Sequence, residues 1–239
     1  INMIDKKRLI ENAKGFGIEL SDKQAELLDA YGELLVEKNK VMNLTAITDP
    51  DGVENKHLLD SLLCAALPQI AGRVADVGTG AGFPGVVIKI AKPEAEVTLI
   101  DATLKKLVFI EECCADLGIS IVTVHGRAEE LSHRSEYRES FDCVTARALA
   151  NLPSLCEYCL PLVKVGGWFV AMKGPEAYAE TELSVTALSL LGGEIKETKS
   201  LKLPDGEERV LVVIKKISQT PSKYPRSGKN ITKNPIKNV

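Results

Sequence analysis

The sequence has no apolar run that approaches the roughly 20 residues of a membrane-spanning helix. It also opens without a basic-then-apolar leader that ends in a small-residue cleavage site. These absences predict a cytoplasmic protein with no membrane partner. Hydrophobic residues make up 45% of the 239 residues and charged residues 26%. A chain of this size and composition is expected to form one α/β domain with an additional segment.

Cysteine is present, but not in a pattern that binds metal. Only Cys156 and Cys159 form a C-x-x-C pair, and a zinc site needs a second pair at ligand spacing, which the sequence lacks. The pair lies in an apolar stretch, which favours packing as its role. We therefore expect no metal site and predict free thiols of a reducing compartment at Cys64, Cys113, Cys114, Cys143, Cys156 and Cys159.

Acidic residues are missing from the end of the chain, residues 217–239, although the net charge is −3. Screening at physiological salt acts over about 8–10 Å, so a phosphate feels this local basic segment whatever the distant surface carries. Its prolines and Gly228 argue against a helix. Two interpretations stay open, a disordered solubilising end or an arm on phosphates with Tyr224 available for stacking. The basic residues are Lys223, Arg226, Lys229, Lys233 and Lys237.

A glycine-rich segment, R-V-A-D-V-G-T-G-A-G-F-P-G, occupies residues 73–85. An apolar run from Val74 to Val77 ends in glycines at positions 78, 80 and 82, and Pro84 is typical of the start of a helix. Alternate glycines let the backbone turn sharply and approach a ligand closely. The segment predicts the strand–turn–helix corner at which doubly wound α/β folds bind nucleotides.

Two kinds of nucleotide compete for this corner. The dinucleotide pattern G-x-G-x-x-G requires a third small residue at position 83, where this chain has Phe83. The chain instead has D-x-G-x-G-x-G beginning at Asp76, which is similar to motif I of the class I S-adenosylmethionine (SAM) methyltransferases. An NAD-dependent oxidoreductase stays an alternative, although no Tyr-x-x-x-Lys pair of the short-chain type occurs. A generic Rossmann-type turn stays another.

From residue 73 onward, strand and helix patterns alternate and finish in an antiparallel pair. This order predicts an α/β fold, Rossmann-like and of the class I SAM-dependent methyltransferase type, with a seven-stranded, mostly parallel sheet. The predicted segments are an N-terminal helical extension packed on the core (1–70), the SAM-binding core (71–217) and the basic tail (218–239). Predicted strands cover 74–77, 96–100, 120–124, 141–145, 168–172, 201–203 and 209–214, and later helices 103–117, 152–162 and 176–191.

In such sheets the ligand lies beyond the carboxyl ends of the strands, so the residues that follow each strand are candidates. Asp101 ends the second strand and suits ribose hydroxyls, with a helix N-cap as the alternative role. Ala128, which is small enough to admit a purine, and Glu129 follow the third strand. Arg147 follows the fourth strand and faces the space between cofactor and substrate, and Lys173 follows the fifth.

Two features have open interpretations. Phe83 either forms a wall of the pocket or fills the core under the glycine loop. His57, Asp60 and Ser61 share one face of a predicted helix because of their i, i+3, i+4 spacing. That face is either solvated or part of a site.

The segment after the fourth strand limits the chemistry. Residues 146–149, A-R-A-L, lack the [D/N]-P-P-[F/Y] sequence typical of exocyclic amine methyltransferases, and the chain has no Pro-Cys pair of the cytosine C5 type. An acceptor that needs neither a base nor a nucleophile fits, such as guanine N7 with its free lone pair. Catalysis is then orientation and exclusion of water. Arg147 has the donors to hold guanine O6.

Seven motifs in one order carry a resemblance that covers nearly the whole chain. They are N-L-T-A-I-T (43–48), K-H-L-L-D-S-L (56–62), D-V-G-T-G-A-G-F-P-G (76–85), G-R-A-E (126–129), T-A-R-A (145–148), K-G (173–174) and Y-P-R (224–226). Together they resemble the RsmG (GidB) family, bacterial methyltransferases of guanine N7 in the decoding-region loop of 16S rRNA.

The resemblance implies SAM as methyl donor and 16S rRNA of the assembled small ribosomal subunit as partner. We expect a monomer, and a non-catalytic ribosome-assembly factor with a dead cofactor pocket stays an alternative. Expected catalytic residues are Arg147 and Lys173, and expected RNA contacts are Arg147, Lys173 and Arg226. Cofactor contacts are implied for Gly78, Phe83, Ala128, Glu129 and Arg147, and the strand-end argument adds Gly80 and Asp101.

Overall fold

The computed structural model describes residues 3–236, and its centre is one seven-stranded sheet in the order β3-β2-β1-β4-β5-β7-β6. The first five strands are parallel, whereas β7 is antiparallel to both β5 and β6. The predicted α/β class with a mostly parallel seven-stranded sheet is confirmed. The strands are β1 (Arg73–Val77), β2 (Glu96–Asp101), β3 (Val122–His125), β4 (Phe141–Arg147), β5 (Val163–Lys173), β6 (Gly193–Lys202) and β7 (Glu208–Lys216).

Helices cover both faces of this sheet, as a buried parallel sheet requires. A 3₁₀ turn (Leu160–Leu162) follows α8, and a π-helical stretch (Val53–Leu59) lies between α3 and α4. The helices are α1 (Lys6–Gly15), α2 (Asp22–Met42), α3 (Pro50–Gly52), α4 (Asp60–Ala65), α5 (Gly85–Ala91), α6 (Leu104–Asp116), α7 (Ala128–Leu131), α8 (Leu152–Cys159), α9 (Ala177–Leu183), α10 (Val185–Leu191) and α11 (Gly228–Lys233).

The N-terminal helices and the sheet share one hydrophobic core. Leu28, Tyr31 and Leu35 of α2 are fully buried in the same cluster as Val86 and Val87 of α5. The capping box at the start of α2 forms as its sequence indicates, since Ser21 and Gln24 satisfy each other's backbone N–H groups. The N-terminal helices therefore pack directly on one face of the sheet domain.

Several bounds differ from the sequence prediction for identifiable reasons. Strand β6 begins at Gly193, well before the predicted start at position 201. The prediction missed its first part because β6 is an edge strand in which polar residues occupy exposed positions. The single helix predicted over 176–191 is two helices joined at Ser184, whose buried hydroxyl donates to the Glu180 carbonyl. The short helix α3 is capped by the side chain of Asp49.

The prediction that prolines and Gly228 prevent a helix in the tail is wrong for residues 228–233. Pro225 precedes α11 and Pro235 follows it, so neither interrupts its hydrogen bonds. Ile231 on this helix is fully buried, and the segment up to residue 236 packs on the core rather than forming a disordered end. The predicted tail residue Lys237 lies outside the described residues.

All six cysteines are free and buried. Over residues 3–236, the helices are too short or too polar to cross a membrane. The same part of the chain contains no cluster of three or more His, Cys, Asp or Glu side chains that could hold a metal ion.

Candidate active site

A cavity of about 740 Å³ lies beyond the carboxyl ends of β1 to β4. This is where the strand order reverses around β1 and β4, the position at which doubly wound sheets bind ligands. The structure brings together there every residue for which a cofactor contact is predicted: Gly78, Gly80, Phe83, Asp101, Ala128, Glu129 and Arg147. Direct contact with a cofactor stays a prediction for each of them.

The glycine loop at one side of the cavity needs its glycines. Gly78, Gly80 and Gly82 all have left-handed backbone angles, with φ of 69°, 59° and 94°. At Gly82 a Cβ would also overlap the hydroxyl of Tyr31, which donates to the Ala81 carbonyl at 2.8 Å. A side chain at this position is therefore excluded by conformation and by space together.

Asp76 supports the loop from below and is fully buried. Its Oδ2 accepts hydrogen bonds from the Thr79 hydroxyl at 2.6 Å and from the Gly85 backbone N–H at 2.9 Å. Burial raises the pKa of this carboxyl to about 6. Asp76 therefore braces the loop and is absent from the residues that line the cavity.

Asp101 is not the N-cap of α6, because that position is Thr103, and its contact with ribose hydroxyls stays a prediction. Its Oδ2 accepts from the Gly80 backbone N–H at 2.9 Å, and its Oδ1 accepts from the Thr103 backbone N–H at 2.8 Å, immediately before α6. Each carboxylate oxygen has a further lone pair. Because Asp101 also lines the cavity, those lone pairs are available to hydroxyl groups of a ligand.

Phe83 both fills the core under the glycine loop and forms part of the cavity wall. The ring is 3% exposed within the core cluster and also lines the cavity. It stacks on the imidazole of His57, with ring centroids 4.6 Å apart and an interplanar angle of 4°, and meets Tyr31 edge-on at 5.8 Å.

The helix face formed by His57, Asp60 and Ser61 is not solvated. The solvated-face interpretation is wrong, because all three residues are buried.

Arg147 connects the end of β4 to this N-terminal segment. Its Nη1 donates to Asp60 Oδ2 at 2.9 Å and to the Lys56 carbonyl at 3.0 Å, and its Nη2 lies 3.4 Å from His57 Nδ1. Since a guanidinium only donates, His57 Nδ1 accepts, and the other ring nitrogen then donates to Thr45 Oγ1 at 2.9 Å. Burial and the neighbouring Arg147 charge lower the pKa of His57 to about 4, so the imidazole is neutral at pH 7.

A second cavity of about 510 Å³ adjoins the first. The two share three lining residues, His57, Arg147 and Ala148. Lys173 lines the second cavity, and its ammonium is held by the Ala150 carbonyl at 3.1 Å and the Glu180 carboxylate at 3.0 Å.

Arg209 is a residue of this second cavity that sequence reasoning missed. Its Nε donates to Asp60 Oδ1 at 3.1 Å, so one buried carboxylate joins Arg209 to Arg147. Arg209 and Asp60 are 149 residues apart in sequence. No sequence motif marks this single arginine on β7. Only the pairing of β7 with β5 brings it to the site.

Arg226 is placed apart from both cavities. Its guanidinium makes an ion pair with the fully buried Glu157 side chain, with Nη2 at 2.7 Å from Oε2 and Nε at 2.9 Å from Oε1. The predicted RNA contact of Arg226 stays a prediction. Three other residues missed from the sequence, Ser154, Tyr158 and Thr232, line the larger cavity.

Comparisons with known proteins agree with this geometry. Residues 24–211 match the family described as rRNA small subunit methyltransferase G. The chain is 47% identical to the ribosomal RNA small subunit methyltransferase G of Alkaliphilus oremlandii, over 96% of this chain and 98% of that one. It is also 47% identical to the protein of the same description from Acetivibrio thermocellus, over 97% and 96% of the two chains.

Solved structures share the fold at low sequence identity. The ribosomal protein L11 methylase of Lactobacillus delbrueckii subsp. bulgaricus has a TM-score of 0.52 and 20% identity, covering 68% of this chain and 79% of that one. TrmN from Thermus thermophilus has a TM-score of 0.50 and 19% identity, covering 66% of this chain and 49% of that one. The solved structures support the fold alone, whereas the match over residues 24–211 and the 47% identity to the two relatives show that the chain belongs to the rRNA small subunit methyltransferase G family.

Proposed function

We propose that this protein transfers the methyl group of SAM to N7 of a guanine in the decoding-region loop of 16S rRNA. The observation that carries the proposal is the junction of the two cavities at His57, Arg147 and Ala148. A cofactor in the larger cavity and a base in the smaller one meet at these three residues. The family match concerns a methyltransferase, so the dehydrogenase and assembly-factor alternatives are not retained.

The residues of the larger cavity fit SAM. Asp101 offers carboxylate lone pairs suited to ribose hydroxyls. The glycines of the adjacent loop carry no side chain, so a ligand can approach the loop backbone closely. Ala128 leaves room beside Glu129 for a purine. Bound SAM supplies a methyl group on a positively charged sulfur, which a neutral ring nitrogen accepts without a nucleophilic side chain.

The smaller cavity is suited to an acceptor that needs no general base. His57 is neutral but its Nδ1 is engaged by Arg147, and Asp60 accepts from both Arg147 and Arg209. Neither group is therefore available to remove a proton. Guanine N7 carries no proton, so methyl transfer requires only that N7 is oriented toward the methyl group and that water is excluded.

Arg147 is the residue we assign to hold the base. A guanidinium has five N–H donors, and the contacts to Lys56, Asp60 and His57 use three of them. The others are available to guanine O6, the acceptor next to N7. Around the same cavity the basic side chains outnumber the two carboxylates Asp60 and Glu176, which favours entry of an RNA phosphate chain. The basic residues are Lys56, Arg147, Lys173 and Arg209.

The proposal extends to partner and compartment. The substrate is 16S rRNA within the assembled small subunit, the enzyme acts on it as a monomer, and a ribosomal substrate implies the cytoplasm.

The test uses small ribosomal subunits from a strain that lacks this enzyme, incubated with the protein and SAM labelled in the methyl group. We expect label at one guanine, and chain cleavage there by borohydride and aniline, which is specific to 7-methylguanosine. Subunits from the parent strain serve as the matched control and should take up no label. Label at another atom or nucleotide, or no label on deficient subunits, would overturn the proposal.

A further inference from the structure

The C-terminal segment, residues 220–236, is built onto the core by buried contacts. Arg226 pairs with the fully buried Glu157 of α8, and Ile231 is fully buried. The side chain of Arg138 donates to the carbonyls of Thr220 at 2.8 Å and Tyr224 at 3.1 Å. A segment held this way has a fixed position relative to the cavity that it borders.

This segment reaches the larger cavity. Thr232 of α11 lines it together with Ser154 and Tyr158 of α8. The Thr232 hydroxyl donates to the Gly228 carbonyl at 2.9 Å and lies 3.4 Å from the Tyr158 hydroxyl. Glu129, which follows β3, lines the same cavity.

Gly228 lies against the carboxylate of Glu129. A Cβ at position 228 would overlap Glu129 Oε1. Gly228 begins α11 and is not among the glycines with left-handed angles, so its backbone accepts an L side chain without strain. The glycine therefore leaves space for the carboxylate in its observed position, and a Cβ here would displace Glu129 Oε1.

We propose that the C-terminal segment is a wall of the cofactor cavity, in which Gly228 positions the Glu129 carboxylate and Thr232 closes the adenosine end. This inference rests on the proposed SAM-dependent function. Glu129 is 92% buried and faces the cavity, where a carboxylate is the acceptor that the exocyclic amine of adenine requires. Arg226 then acts as the anchor of this wall through Glu157. Gly228 is a positioning residue, since it acts through Glu129.

The test measures binding of S-adenosylhomocysteine, the methyl-transfer product, by calorimetry. Gly228→Ala displaces the carboxylate, and loss of one charged hydrogen bond weakens binding about tenfold or more. Gly15→Ala is the matched control, because its Cβ meets nothing within 4 Å and its backbone angle is not left-handed. That control should bind like the parent, and the melting temperature of each ligand-free variant checks that it folds.

A double-variant cycle with Glu129→Ala separates positioning from general damage. If Gly228 acts through Glu129, then Gly228→Ala weakens binding in the parent but has no further effect in the Glu129→Ala background. The inosine analogue of the ligand, whose base has no exocyclic amine, provides a specificity readout. The parent should prefer the adenosine compound, and both single variants should lose that preference.

Three outcomes overturn the inference: equal binding by Gly228→Ala, an equal further loss in the Glu129→Ala background, or an unchanged preference between the two bases. Failure of the proposed function has a different signature, since the parent protein itself would then bind no S-adenosylhomocysteine.

Discussion

At the scale of single residues, Arg147 lines both cavities of this site. Its guanidinium lies 5.5 Å from the ring centroid of Phe83 and donates to Asp60, which also accepts from Arg209. Asp60 is 4% exposed, so removal of a partner leaves a buried charge less well compensated. One substitution therefore changes the walls of both cavities together.

We expect Arg147→Ala to lower the single-turnover rate of methyl transfer about tenfold or more, because charged hydrogen bonds contribute roughly 1.5–3 kcal/mol. Arg73→Ala is the control, since Arg73 begins β1 at the opposite end of the sheet and packs over Phe141. The control should alter stability only. An unchanged rate for Arg147→Ala would remove this residue from the site.

His57 makes stability depend on pH. Its pKa is about 4 in the folded protein and about 6.5 in an unfolded chain. Between those values the unfolded chain binds the proton and the folded protein does not, so stability decreases as the pH falls from 6.5 to 4. Asp76 acts in the opposite direction, because its pKa is raised to about 6 and its contribution decreases as the pH rises through that value.

Urea unfolding of His57→Gln at pH 7 and pH 4 tests this. The parent should lose about 3 kcal/mol more of its unfolding free energy between the two pH values than the variant does. Asp76 is present in both proteins, so its opposite contribution cancels in the comparison. Identical pH dependence of the two proteins would mean that His57 is not held neutral.

At the scale of elements, Gln24 joins helix α2 to helix α5. Its Nε2 donates to the carbonyls of Ile90 at 2.9 Å and Ala91 at 3.2 Å, the last residues of α5. Its Oε1 accepts from the Ser21 backbone N–H at 2.9 Å. One amide therefore completes the start of one helix and the end of another.

We expect Gln24→Ala to lower the unfolding free energy by about 2 kcal/mol, because it removes the capping box and leaves two carbonyls without their partner. Glu26→Ala, an exposed position in the same turn of α2, is the matched control and should change stability little. Chemical denaturation of both variants measures the difference. Equal stabilities would show that the Gln24 contacts contribute nothing.

The strand patterns were predictable to different degrees for a physical reason. Buried strands such as β1 and β4 are mostly apolar and lie near their predicted bounds. Edge strand β6 is mostly polar, with a register shift between Ile195 and Glu197, so only its last apolar part was visible in the sequence. Burial produces the pattern, and an edge strand has little of it.

At the scale of the whole molecule, the basic tail has two kinds of cation. Arg226 is bound by Glu157, whereas Lys223, Lys229 and Lys233 are exposed. The exposed lysines are the ones available to a phosphate chain, while the buried contacts keep the segment attached. RNA binding and tail docking can therefore be tested separately.

We expect replacement of Lys223, Lys229 and Lys233 by glutamine to flatten the salt dependence of binding to small subunits. Each lysine that contacts a phosphate adds about 0.7–0.9 to the slope of log affinity against log salt. Affinity for S-adenosylhomocysteine should stay unchanged, since Arg226 and Gly228 are intact. An unchanged slope would show that these lysines make no phosphate contact.

The sequence alone determined the glycine loop, the helix starts and the strand ends, because each is marked by residues that lie close together in the chain. The glycines at 78, 80 and 82 mark a backbone that only glycine adopts easily, and Ser21 with Gln24 marks a helix start. Residues that end strands, such as Asp101 and Arg147, were predicted to meet because parallel strands end at one edge of a sheet.

The tertiary structure decided what depends on partners distant in the chain. Asp60 accepts hydrogen bonds from Arg147 and Arg209, and Glu157 forms an ion pair with Arg226. The partners are 69 to 149 residues apart in sequence. A charged residue has the same appearance in sequence whether it is solvated or bound to a buried carboxylate. Only the order of the strands and the packing of the tail show which cations are paired with carboxylates and which are exposed.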